Sequence, residues 1–69
     1  MTKNELIRVC QRLSAALADE ICMHYKPTGN IPNQKWNVEI LNDAKKVLGK
    51  EFIVLNDTTK EAIKYYEGN

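Results

Sequence analysis

The sequence is poor in the residues that metal sites and nucleophilic sites need. Its 69 residues include one histidine and two cysteines. Cys10 and Cys22 form no CxxC pair, and His24 has no second histidine at ligand spacing. A nucleophile would need a histidine beside it, but His24 lies two residues from Cys22, on roughly the opposite side of a helix. We therefore expect no metal, no cofactor and no catalytic residue, so the chain is not predicted to be an enzyme.

Glycine is scarce, and no long hydrophobic run is present. Gly29, one of three glycines, has around it neither the further glycines nor the Lys-Ser/Thr ending of a phosphate-binding loop. Charged residues interrupt the first 25 residues, which leaves no signal-peptide core and no stretch able to span a membrane. The sequence predicts a cytoplasmic protein with reduced thiols.

Neither sign of charge dominates. Ten Lys and Arg residues against nine Asp and Glu residues give a net charge of +1, so no strong basic field exists to attract nucleic acid. The hydrophobic fraction of 43% and the charged fraction of 28% are typical of a folded domain. Residues 1–69 are predicted to form a single domain, and a domain this small usually needs a staple or a partner.

The first predicted helix covers residues 3–25. A T-x-x-E capping box, formed by Thr2 and Glu5, opens it, and Pro27 ends it because the residue before a proline is pushed out of the α region. Apolar residues recur at three- and four-residue spacing, which predicts one buried stripe. The stripe contains Leu6, Val9, Cys10, Leu13, Ala16, Leu17 and Ile21.

Two further helices follow a loop at residues 26–34. The second is predicted over 34–48, with Asn33 as N-cap and Gly49 as the residue after its end. Its predicted buried stripe is Trp36, Ile40, Ala44 and Val47, widened by Leu41 and Leu48. The third is predicted over 58–67, with a second capping box of Thr58 and Glu61 at its start and Gly68 after its end. Its predicted apolar face is Ala62, Ile63 and Tyr66.

Between these two helices, residues 51–55 are typical of a short extended or β segment, because Phe52 to Leu55 is an apolar run closed by the turn formers Asn56 and Asp57. A single strand has no partner in a chain of helices. The run could be a connector that fills the core, pair with the same segment of a second copy, or offer an edge to another protein. We expect a mostly α, three-helix domain that forms a homodimer or higher oligomer.

The functional prediction is a small, non-enzymatic module that binds itself and another protein, in a regulatory or inhibitory role. A small, near-neutral helical chain without a site is typical of inhibitors, antitoxin-like regulators and accessory proteins of phages or mobile elements. Aromatic and apolar side chains near loops and helix ends are the candidate interface, because such side chains are favoured anchors. They are Tyr25, Trp36, Phe52, Ile53, Val54 and Tyr65.

The alternative prediction is a DNA-binding regulator that uses the last two helices in a helix-turn-helix-like arrangement. Its candidate contacts are Lys45, Lys46, Lys50, Thr58, Thr59, Lys60 and Lys64. Two features count against this alternative. The gap from Gly49 to Thr58 is longer than the turn of that motif, and the net charge is near zero.

Overall fold

The computed structural model describes residues 2–25 and 34–67. Three α-helices cover most of this range: α1 (Lys3–Tyr25), α2 (Lys35–Leu48) and α3 (Asp57–Glu67). A short 3₁₀ turn, Gly49–Glu51, follows α2 directly. The mostly α, three-helix prediction is confirmed. The predicted loop at 26–34 lies outside the described residues except for Gln34, as do the predicted N-cap Asn33 and helix terminator Gly68.

The start of α1 is the predicted capping box. The backbone N–H of Glu5 donates to Oγ1 of Thr2 at 3.1 Å, and the Thr2 hydroxyl donates to Oε1 of Glu5 at 3.1 Å. The backbone N–H of Leu6 also donates to the carbonyl oxygen of Thr2, at 3.0 Å. The helix therefore begins where the sequence predicts, because the side chains of Thr2 and Glu5 satisfy each other at the first turn.

The start of α3 differs from the prediction by one residue and by its cap. The side chain of Asn56, not that of Thr58, accepts a hydrogen bond from the backbone N–H of Thr59, at 2.7 Å. The carbonyl oxygen of Asn56 accepts from the N–H of Lys60 at 3.1 Å. The predicted Thr58–Glu61 box is therefore wrong: Asn56 is an equally good capping residue and lies two residues earlier.

The core lies where the three helices meet. Its buried apolar residues come in pairs from each helix: Ala18, Ile21, Val38, Leu41, Ala62 and Tyr66. Ile21, Leu41 and Ala62 are at most 1% exposed. Half-buried side chains pack around this centre, namely Leu17, Tyr25, Phe52, Ile53, Leu55 and Ile63. The predicted face of α3 is confirmed, with Ala62 and Tyr66 buried and Ile63 half-buried.

The predicted buried stripes of α1 and α2 are wrong for most of their members. On α1, Ser14, Ala18 and Ile21 are buried, whereas Leu6 and Leu13 are 53% and 65% exposed. On α2, Val38 and Leu41 are buried, whereas Trp36 and Val47 are 72% and 82% exposed. Both helices carry more apolar residues than the core covers, and the core uses a stripe rotated from the predicted one.

Two side-chain hydrogen bonds join the elements at the rim of the core. Nε2 of Gln11 on α1 donates to the carbonyl oxygen of Glu51 in the 3₁₀ turn at 2.7 Å. Nδ2 of Asn42 on α2 donates to Oε2 of Glu67 at the end of α3, also at 2.7 Å. These bonds hold the chain between α2 and α3 against α1 and hold the last turn of α3 against α2.

The apolar run at Phe52–Leu55 is a connector, and residues 2–25 and 34–67 contain no β-strand. Gly49 follows the end of α2, as the sequence predicts, and has φ +56° and ψ −123°, a conformation that suits glycine. Phe52 then takes an extended backbone conformation, with φ −68° and ψ 149°. Three of the four side chains pack on the core, and the fourth, Val54, is 95% exposed. The run is therefore covered by the core on one side only.

Candidate functional site: an exposed apolar face on α1 and α2

Most of the large apolar side chains that the fold leaves exposed lie on α1 and α2. Five of them line adjoining hollows, and the sixth, Trp36, lies on the same side of α2 by helical spacing, four residues before Ile40. The six are Leu6, Val9, Leu13, Trp36, Ile40 and Val47, each 39% to 82% exposed. Smaller or partly covered neighbours connect them, namely Cys10, Ala16, Leu17 and Ala44. We call these ten residues the apolar face. All ten are residues that the sequence pattern predicts as buried.

A groove between the two helices runs along this face. Its central part is lined by Cys10, Leu13, Ser14, Leu17, Ile40 and Ala44. Toward one end it continues past Leu6, Ile7, Val47 and Leu48, where Lys3, Lys50 and Glu51 supply charges. On the flank of α1, Val9, Leu13 and Ala16 line a further hollow beside Arg12. Cys10 and Leu13 each belong to two of these hollows, so the apolar surface is continuous.

The face exists because α1 is apolar around more than half of its circumference. Successive helical residues point about 100° apart. Ser14, Ala18 and Ile21 face the core, so Leu13 and Leu17, each one residue earlier, point toward α2 and the solvent. The same rotation on α2 buries Val38 and Leu41 and leaves Ile40 and Val47 outside. A domain of this size has no fourth helix among its described residues to cover them.

The sequence-predicted interface residues do not form one surface. Trp36 lies on the apolar face, at 72% exposed. Val54 borders a separate hollow with Ala15, Ala18 and Asp19, outside the groove. Tyr25, Phe52 and Ile53 are half-buried against the core, and Tyr65 is 46% exposed on α3. Only Trp36 therefore belongs to the larger apolar face, which the interface prediction otherwise missed.

Three tyrosines form an aromatic cluster where α1 meets α3. The ring centroids of Tyr25 and Tyr65 are 5.7 Å apart, and those of Tyr65 and Tyr66 are 5.2 Å apart, all in edge-to-face geometry. The hydroxyl of Tyr66 is buried and has no hydrogen-bond partner within the described ranges. Burial raises the pKa of Tyr66 above its ordinary value of 10.0, and the neighbouring Tyr65 and Tyr25 raise it further.

The residues predicted for nucleic-acid contact are spread over the surface of α2, the 3₁₀ turn and α3. Lys45, Lys46, Lys50, Lys60 and Lys64 are exposed. Thr58 is half-buried, and Thr59 is 2% exposed and belongs to the packed interior. Thr59 is therefore not available for the predicted contact. Lys45 and Lys60 border the same hollow between α2 and α3, but they share it with the carboxylate of Glu67.

The single histidine and the two cysteines of the sequence all lie on α1. Nε2 of His24 contacts Oε1 of Glu20 at 2.7 Å, one turn apart on the exposed side of α1. The two cysteines are half-buried free thiols. The described part of the chain contains no group of three His, Cys, Asp or Glu residues that could hold a metal ion.

None of the three described helices is both long enough and apolar enough to cross a membrane. Comparison of the chain with protein-family models, curated proteins and solved structures found no match.

The apolar face does have a signal in the sequence. Ile7, Ala15, Ala18 and Cys22 are apolar residues of α1 that lie off the predicted stripe. A helix that is apolar beyond one stripe needs cover on more than one side. Counting the apolar residues outside the stripe would have indicated a second covered face on α1, although it would not have shown which of the two faces is the core.

Proposed function

We propose that this chain is a non-enzymatic protein-binding module, with a regulatory or inhibitory role, and that the apolar face of α1 and α2 is its binding surface. The observation that supports this proposal is the continuity of that face. Isolated exposed apolar residues are ordinary, but a monomer rarely exposes a connected patch of more than a few hundred Å² unless the patch binds something.

The shape of the surface indicates the kind of partner. The face is a groove between two helices, lined by aliphatic side chains, with charges from Lys3, Lys50 and Glu51 at one end and from Arg12 on one flank. An amphipathic helix binds such a groove by laying its apolar stripe along it, with anchors at three- and four-residue spacing. Burying Leu13, Trp36 and Val47 in that way would stabilise the complex by the hydrophobic effect.

The experiment compares the proteins that co-purify with the wild-type chain and with a variant whose apolar face carries charges. The tagged chain is purified from its native host as wild type and as the double variant Leu13→Asp, Val47→Asp, which places two charges in the groove. Lys64→Ala, an exposed change on α3, is the control. We expect a helix-bearing partner that the wild type and the control retain and the double variant loses, while circular dichroism shows unchanged helix content.

Two results would contradict the proposal. A partner retained equally by the double variant would place the binding surface elsewhere on the molecule. A sequence-specific shift of DNA that weakens steeply with salt and is lost on replacing Lys45 and Lys60 would favour the nucleic-acid alternative.

A further inference from the structure

We infer that the helix occupying the apolar face is α1 of a second copy of this chain, bound antiparallel across a two-fold axis, with α2 packing on α2 beside it. The inference rests on the proposed function, since it names the occupant of the same face. Three observations support it: the amount of apolar surface, the order of charges along α1, and the level at which α2 crosses that helix.

The exposed apolar area suits a self-associating surface. The six large side chains of the face, at 39% to 82% exposure, amount to on the order of 500 Å² of apolar surface, from typical areas of aliphatic and aromatic side chains. A stable interface buries about 800 Å² on each partner, of which roughly 60% is apolar. The face is therefore large enough to be one side of a complete interface.

The order of charges on α1 selects the direction of the second helix. Arg12 and Asp19 are both exposed and lie seven residues apart, which is close to two turns, so they project from the same flank of the helix. A two-fold axis midway between them passes the level of Ala15 and Ala16, and the small side chain of Ala16, which belongs to the apolar face, allows close approach. The axis places each Arg12 opposite the other copy's Asp19, which gives two equivalent ion pairs. A parallel arrangement would instead oppose like charges.

The same axis also pairs the exposed residues of α2. Cys10 and Val47 share one end of the groove, and Leu17 and Ile40 share its central part, so the two helices run antiparallel. The level of Ala15 and Ala16 on α1 is therefore near the middle of α2. Trp36 and Val47 lie on either side of that level, about three turns apart on one face. In the dimer each Trp36 would lie against the other copy's Val47.

The first test measures the molecular mass in solution and the fluorescence emission of the tryptophan. Analytical ultracentrifugation across an approximately hundredfold range of concentration should show a shift from the 7.9 kDa of one chain to twice that mass. Trp36 is the single tryptophan, and its emission should move to shorter wavelength over the same range as the ring is buried. Leu13→Asp should keep the helical spectrum while remaining monomeric with unshifted emission.

The second test determines whether the α1 helices of the two copies pack antiparallel or parallel. Arg12→Glu and Asp19→Arg should each weaken dimerisation by about tenfold, because each change brings two pairs of like charges together. The double variant Arg12→Glu, Asp19→Arg should restore dimerisation to within about threefold of wild type. Lys64→Glu, which changes charge by the same amount on α3, should have no such effect. In a parallel dimer neither single change would be rescued by the other.

A chain that stays monomeric at all concentrations, or a dimer insensitive to both Leu13→Asp and the charge reversals, would overturn the inference. In the first case the capture experiment above decides separately whether the face binds a different protein. A dimer that forms as described, with no other partner recovered, would support the inference and reduce the proposed function to self-association.

Discussion

Leu13 and Ser14 are consecutive residues of α1, yet the leucine is 65% exposed and the serine is 4% exposed. The Ser14 hydroxyl donates to the carbonyl oxygen of Cys10 at 2.8 Å, so its polar group is satisfied inside the helix's own turn. The buried face of α1 thus includes a serine whose hydroxyl is satisfied, and the leucine beside it is exposed.

Because Ser14 is buried and Leu13 is exposed, a charge introduced into α1 should be tolerated at position 13 and not at position 14. Ser14→Asp should abolish cooperative unfolding, because it buries a carboxylate among apolar neighbours at a cost of several kcal/mol. Leu13→Asp, the adjacent change, should retain the helical spectrum and a cooperative transition. Circular dichroism during thermal unfolding measures both. A Leu13→Asp variant that is unfolded in dilute solution would show that the leucine belongs to the core.

A matched pair of valines tests the burial of the core. Val38→Ala should lower the free energy of unfolding by about 2 kcal/mol, since Val38 is 2% exposed and the change leaves a cavity. Val54→Ala should change it by less than about 0.5 kcal/mol, since Val54 is 95% exposed. Urea unfolding at one protein concentration compares the two. Equal losses would mean that the connector is covered in solution.

The cap of α3 can be tested against the cap that the sequence predicts. Asn56→Ala should cost about 1 kcal/mol, because it removes the acceptor for the backbone N–H of Thr59. Thr58→Ala should cost clearly less, and Asn56→Asp should retain stability because a carboxylate accepts the same bond at the positive end of the helix. The measurement is again urea unfolding. The reverse ranking of Asn56→Ala and Thr58→Ala would restore the predicted capping box.

Tyr66 should make the fold sensitive to alkali. Because its pKa is above 10.0 in the folded state and ordinary in the unfolded state, the unfolded chain loses this proton first. The contribution of Tyr66 is therefore complete below about pH 10 and is lost as the pH rises toward the folded-state pKa. Tyr66→Phe should remove this part of the alkaline loss of stability. It should not lower the free energy of unfolding at neutral pH, because the hydroxyl has no described partner.

The comparison for Tyr66 is urea unfolding of wild type and Tyr66→Phe at about pH 8 and about pH 11. Other groups that titrate in this range are common to both proteins, so the difference isolates Tyr66. An equal loss of stability in the two proteins would mean that the hydroxyl reaches solvent or a partner in the folded state.

The helices were predictable from the sequence because their signals are local. The Thr2–Glu5 box, the absence of breakers in α1 and the positive φ of Gly49 depend on residues within one or two turns. The inner face of α1 was not predictable in the same way. Its seven-residue apolar stripe is more hydrophobic than Ser14 and Ala18, and the burial of these smaller residues depends on how α2 and α3 pack against α1.

The candidate site was missed for the same reason. The pattern assigns Leu13, Ile40 and Val47 to the core, and a residue assigned to the core is not considered as a binding residue. The apolar run at Phe52–Leu55 left a connector and a paired strand open, because its sequence is typical of both. Three of its side chains pack on the core, as the connector alternative predicts.

The burial of Ala62 and Tyr66 also has a consequence for how the chain is made. These two residues, 0% and 6% exposed, supply the side of the core that α1 and α2 leave open. During synthesis, Ile21 and Leu41 leave the ribosome well before the residues that cover them. The nascent chain therefore presents both its inner and its outer apolar surfaces until Tyr66 has emerged, and folding can be completed only after that point. A ribosome stalled before position 59 would carry a chain that chaperones recognise by either surface.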